Sequence, residues 1–135
     1  MTSGSPRNTL VRFSPNPPAS RSFIDRCLTK LICPLPADYI GFLQWANGGE
    51  GFIDKTYLIL WRVEELMDMN SAYQVAEFAP GILIFGSNGG GESFAFDMRA
   101  TPVSIVSIPF IALELEDAIV VAPSFDAFLE NLSSS

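Results

Sequence analysis

The sequence predicts a single α+β domain in which a mostly antiparallel sheet is flanked by helices. Three observations carry that prediction. Apolar residues recur at helical spacing in the first half and again near the C-terminal end. The second half holds short β-prone runs joined by turns too brief for crossover helices, which antiparallel neighbours accept and parallel ones do not. Finally, 135 residues, 48% of them hydrophobic, suffice for one well-buried core.

The elements follow in order. Residues 1–22, "MTSGSPRNTLVRFSPNPPASRS", are rich in Ser, Pro and Arg without any hydrophobic period, and read as a flexible or loosely docked basic lead before a folded body of residues 23–135. "FIDRCLTKLICPLP" sets Phe23, Ile24, Cys27, Leu28 and Leu31 on one helical face until Pro34 stops the helix. A second helix starts at Pro36, with Asp38 in its first turn and Tyr39, Phe42, Leu43 and Ala46 as its apolar stripe. "ANGGEG" ends it, Asn47 or Gly48 supplying a left-handed cap and Gly49 continuing the turn.

"TYLILW" (Thr56–Trp61) reads as a strand, and "RVEELMDMNSAYQVAEF" as a helix whose length the sequence leaves open, with Val63, Leu66, Met67 and Asn70 on a common face. "ILIFGS", "ESFAFDM" and "VSIVSI" are strands, the second placing Phe94 and Phe96 on one side. Residues 109–122 fit strand or loop. The chain closes with a helix capped by Ser124, with Asp126 in its first turn and Phe125, Phe128, Leu129 and Leu132 on its apolar stripe.

Composition excludes several chemistries. The chain has no histidine, which removes histidine-based triads and histidine metal ligands. Cys27 and Cys33 lack Cys or His companions for a zinc site and read as reduced thiols in a cytoplasmic protein without a secretory signal. Charge is lopsided. The first 30 positions hold five basic residues and one acid, net +4, whereas Leu31 onward holds three basic residues and fourteen acids, net −11. Such a body repels nucleic acid and attracts basic partners, or simply maintains solubility.

"GSNGGGES" (Gly86–Ser93) approaches the phosphate-loop pattern G-x-x-x-x-G-K-[ST], but Glu92 stands where lysine would neutralise phosphate. The residues after it alternate as a strand does, so no helix N-terminus faces the loop. The segment therefore reads as a hairpin turn built on Asn88, Gly89, Gly90 and Gly91, and no cofactor is expected.

Four segments in order resemble the SMI1/KNR4 domain of the SUKH superfamily: "LPADYIGFLQWANGGEG", "YLILWRVEELMDMN", "GILIFGSNGGGESFAFDM" and "VAPSFDAFLENL". The likeness runs from about Leu35 to Leu132. This chain departs from it in carrying Asn88 and Glu92 where the family turn commonly carries aspartates. The resemblance implies a protein-binding domain: an immunity protein that blocks a polymorphic toxin, for instance a nuclease with a basic surface, or a regulatory module as in fungal relatives. Candidate contact residues are the acids Glu50, Glu64, Glu65, Asp68, Glu92, Asp97, Glu114, Glu116 and Asp117, together with Asn88. Asn47, Gly48, Gly49, Gly86, Gly89, Gly90 and Gly91 are expected to be structural. Carboxylate pairs such as Glu64/Glu65 and Glu114/Glu116 leave acid–base catalysis as a less favoured reading, and no enzyme activity is expected. The partner is expected to be a basic protein rather than nucleic acid or membrane. Among the aromatics, Trp45 and Trp61 adjoin element boundaries and are the rings to watch for a ligand.

Overall fold

The computed structural model describes residues 12–29, 31 and 34–133. Expectations for residues 1–11 and for Cys33 lie outside these. Among the described residues, seven strands form one sheet in strict chain order, every neighbouring pair antiparallel. They are β1 (Arg12–Pro15), β2 (Gly49–Ile53), β3 (Thr56–Leu60), β4 (Ile82–Ser87), β5 (Glu92–Asp97), β6 (Ser104–Pro109) and β7 (Ile119–Ala122). The helices are α1 (Arg21–Cys27), α2 (Ala37–Trp45), α3 (Val63–Ala72), α4 (Val75–Phe78) and α5 (Phe125–Ser133), with a 3₁₀ turn at Leu115–Asp117. The α+β prediction holds.

The expected flexible lead is corrected for its second half. Arg12–Pro15 pairs with β2, Phe13 facing Gly51, and buries the Phe13 ring to 5% exposure. Ala19 is buried as well, and its N–H donates to the Leu43 carbonyl. Helix α1 starts at Arg21, where the Ser20 hydroxyl caps it by accepting the Phe23 N–H at 3.2 Å. One buried ring in a four-residue edge strand leaves no period to read, which is why composition alone pointed to a loose segment. Helix α1 also ends at Cys27, short of Pro34. Cys27 carries a free, half-buried thiol, and burial is the first cause raising its pKa.

Two further stretches were left open by the sequence. The helix of open length after Trp61 ends at Ala72, and Gln74, in left-handed backbone at φ 55, separates it from the short α4. The stretch left open as strand or loop contains the 3₁₀ turn and then β7.

The core is an aromatic cluster between the sheet and helices α2 and α5. Tyr39 of α2 meets Phe96 at 4.9 Å and Phe125 at 5.1 Å, and Phe85 meets Phe96 at 4.5 Å and Phe128 at 5.6 Å. Edge-to-face and tilted arrangements of this kind add to what burial alone supplies. Every residue of β4 is buried. The N-termini of α2 and α5 are joined by Asp38, whose carboxylate accepts the N–H of Tyr39 at 2.9 Å and that of Asp126 at 3.1 Å. Helix α3 is fixed to β4 by Asn70. Strand β3 pairs with β4 only at Ile59 and Leu60, and beyond that point the Asn70 amide takes the strand's place. It accepts the Ile84 N–H and donates to the Ile84 carbonyl, both at 2.9 Å.

Candidate functional site

The two turns that carry the sequence resemblance prove to be internal framework. Asn47 is buried where α2 passes into β2. Its side chain accepts the Val63 N–H at 2.8 Å, satisfying a donor at the start of α3, and donates to Glu64 at 2.8 Å. Asn16 donates to its carbonyl at 3.0 Å, and Asn47 N–H donates to Pro17. One amide thus ties α2, α3 and the strand-to-helix connection before α1. Gly48, not Asn47, adopts the left-handed conformation, at φ 77, and Gly49 opens β2.

The glycine turn joins β4 to β5. Asn88 Oδ1 accepts the N–H of Gly90 at 2.8 Å and of Glu92 at 3.3 Å, while Ser87 Oγ accepts the Gly89 N–H at 3.2 Å. Amides that would cradle a phosphate are therefore spent inside the turn, which disposes of the phosphate-loop alternative. Asn88 serves the turn, its Oδ1 taken up by two backbone amides. The three glycines are not equivalent either. Gly89 needs its positive φ of 82, whereas Gly90 and Gly91 adopt ordinary backbone. Gly86 is required for a different reason: any Cβ there would collide with the Ile59 carbonyl.

The acidic candidates divide into two sets. Glu64 is engaged by Asn47, and Glu65 accepts the Arg62 N–H at 3.0 Å, satisfying the donor at the N-cap of α3. Glu50 accepts the Tyr57 hydroxyl at 2.5 Å. Asp97 is paired with Arg99 through two contacts, 2.9 and 2.8 Å, and the Arg99 hydrogen bond holds its carboxyl below the ordinary value. These four acids already have partners. Asp68 stands exposed on α3, and Glu92 stands half-buried at the turn, opposite Pro109 in the β5–β6 ladder. Glu114, Glu116 and Asp117 stand together on the exposed 3₁₀ turn. A hydrogen bond with Glu116, then the charges of Glu116 and Asp117, push the Glu114 pKa up. The Glu64/Glu65 pair is thus divided between two structural bonds. Glu114 and Glu116 are both exposed.

Beside that acidic turn lies a feature that sequence reading did not identify. Tyr73, Phe78, Phe110, Ile111, Ala112, Leu113 and Glu114 line a groove of about 460 Å³. Phe78 is 58% exposed and Ile111 97% exposed. The Tyr73 ring lies 4.8 Å from Phe110 and is stacked on the buried Trp61 at 6.4 Å. Trp61, one of the two rings to watch, therefore stands behind this groove, while Trp45 packs on Phe42 at 5.6 Å. The available sequence signal was weak: Ile111 falls in a run with no readable period, and Phe78 looked like the continuation of a buried helix face.

Among the described residues, no group of three or more His, Cys, Asp and Glu is placed to hold a metal ion, and no helix is long and apolar enough to cross a membrane. No curated protein sequence matches the chain. A family model does: the one described as SMI1 / KNR4 family (SUKH-1) matches residues 18–131. That span takes in both framework turns, the Asn70 strut, the meander of strands from β2 to β7 and nearly all of the closing helix. The chain belongs to the SMI1/KNR4 (SUKH-1) family.

Proposed function

We propose that this protein is a non-enzymatic binding domain of the immunity type, which neutralises a polymorphic toxin by direct association. The observation that carries the reading is the exposed aromatic groove beside three carboxylates that form no ion pair with a cation among the described residues. Monomeric folds seldom leave aromatic and large aliphatic side chains clustered in solvent, and such clusters mark interaction surfaces. Buried apolar anchors beside a charged rim are the usual anatomy of a protein interface. The acidic body adds speed, since a basic toxin surface would be steered toward it over distances that salt shortens.

The test is direct. The reading expects a toxin gene beside the one for this chain; its toxin domain is co-produced with this protein, and complex formation and toxicity are both measured. The expected result is a 1:1 complex, loss of toxicity, and an association rate that falls as ionic strength rises. Unchanged toxicity together with no complex would refute the reading.

A further inference from the structure

We infer that the groove between α4 and the Phe110–Glu114 segment receives an extended basic segment of a protein partner. One large apolar side chain enters beside Phe78 and Ile111, and flanking Arg or Lys side chains meet Glu114, Glu116 and Asp117. This deepens the immunity reading and rests on it for the identity of the partner.

Three observations select that occupant. The first is shape with chemistry: of the six large hydrophobic side chains most exposed among the described residues, Tyr73, Phe78 and Ile111 all line this one groove. No packing inside the domain accounts for Ile111 at 97% exposure. The second is charge. After Arg62 the chain's only basic residue is Arg99, and its guanidinium lies 2.8 Å from Asp97. None of the residues lining the groove is a cation. The groove therefore has an apolar floor and an uncompensated negative end, complementary to an apolar residue flanked by cations.

The third observation weighs against occupants from this chain itself. Residues 1–11 contain one basic side chain, Arg7, too little to meet three carboxylates. A second copy docking groove to groove would bring the two acidic turns together, at a cost in like-charge repulsion. Protonation adds a further mark of the site. The hydrogen bond with Glu116, then the charges of Glu116 and Asp117, raise the Glu114 pKa, so its charge is lost at a higher pH than that of an ordinary glutamate.

The experiment uses the full chain and three synthetic probes: acetyl-Arg-Phe-Arg-amide, acetyl-Arg-Gly-Arg-amide and acetyl-Glu-Phe-Glu-amide. Binding is followed by amide and indole chemical shifts. The Trp61 indole signal reports the groove through the Tyr73 stack, and the Trp45 signal is the internal control. The expected result is saturable binding of the Arg-Phe-Arg probe at about 1 mM, with the Trp61 signal moving and the Trp45 signal still. Phe78→Ser and Ile111→Ser each weaken it about fivefold or more, as does the double change Glu114→Gln with Glu116→Gln. All these positions are exposed, so the fold survives, and unchanged spectra elsewhere verify it.

Equal binding of the Arg-Gly-Arg or Glu-Phe-Glu probe would overturn the inference, as would shifts mapping to another face. A dimer in light scattering that Ile111→Ser dissociates would also overturn it, assigning the groove to a second copy. If the toxin is neutralised but neither serine variant changes its affinity, the groove assignment fails and the immunity reading stands. If the probes bind as expected but no toxin is neutralised, the reverse holds.

Discussion

Replacing Asn70 by leucine would preserve volume at the α3–β4 junction but leave the Ile84 N–H and carbonyl without partners on that side of the strand. Stranding buried backbone groups costs roughly 1–3 kcal/mol each. Asn70→Leu is therefore expected to destabilise the protein by about 2–4 kcal/mol, read from the urea midpoint at constant slope. Tyr39 presents the opposite case. Its ring is packed among Phe85, Phe96 and Phe125, yet its hydroxyl is buried with no hydrogen-bond partner among the described residues, and burial drives its pKa well above the ordinary tyrosine value. Tyr39→Phe keeps the rings and removes the unpaired oxygen. It should leave thermal stability unchanged or raise it by up to about 1 kcal/mol, and a clear fall in melting temperature would contradict the packing described. Sequence reading placed Tyr39 and Asn70 correctly on buried faces. It had no means of seeing that one polar group is satisfied and the other is not, since the partners of Asn70 lie in a strand 14 residues away.

At the scale of elements, the β4–β5 hairpin invites a paired substitution. Gly86→Ala drives a methyl group into the Ile59 carbonyl, whereas Gly91→Ala meets nothing within 4 Å. The first should cost about 2 kcal/mol or more in chemical denaturation and the second no more than about 0.5 kcal/mol. Equal effects would show that the glycines act through chain entropy instead of this close approach. The elements that were legible are the ones with long, clean periods: α2, β4, β5 and α5. Strands β1 and β2 were missed because four residues with one buried ring, and "GEGFI" with two glycines, display no alternation. The length of α3 stayed open because the neighbours of Gln74 fit a helix, and no residue type marked the left-handed break. Of the acidic candidates, Glu64, Glu65, Glu50 and Asp97 turned out to be internally engaged. A carboxylate's charge is visible in the sequence, but its hydrogen-bond partner is supplied by the fold.

Across the whole molecule, charge sets the response to pH and salt. Asp97 has its folded-state pKa lowered, first by the Arg99 side-chain hydrogen bond, from an ordinary value of 3.8. The sign follows from linkage. The pair's contribution is fully present above that value and disappears as pH falls through the lower folded-state pKa. Arg99→Met should therefore depress the melting temperature at neutral pH, and the difference from the parent protein should shrink below pH 3.8 and vanish at a pH low enough to protonate Asp97 in the folded state. A difference that persisted at that pH would mean that Arg99 stabilises by packing its stem on Gly81. The groove was not legible at this scale. It is assembled from α3, α4 and the segment after β6, which meet only once the sheet has brought residues 73–78 alongside residues 110–114.

The strict chain order of the sheet also bears on how the protein comes into being. Each strand pairs with the one before it, so the meander can be laid down progressively as the polypeptide emerges, each ladder closing only a modest loop. The aromatic cluster behaves differently. Tyr39 and Phe42 wait for Phe125, and Phe85 and Phe94 wait for Phe128. Until helix α5 arrives, a nearly finished sheet carries an open aromatic face. The growing chain is therefore most exposed to misassociation just before that helix emerges, and its docking converts a sticky intermediate into the native domain in one step.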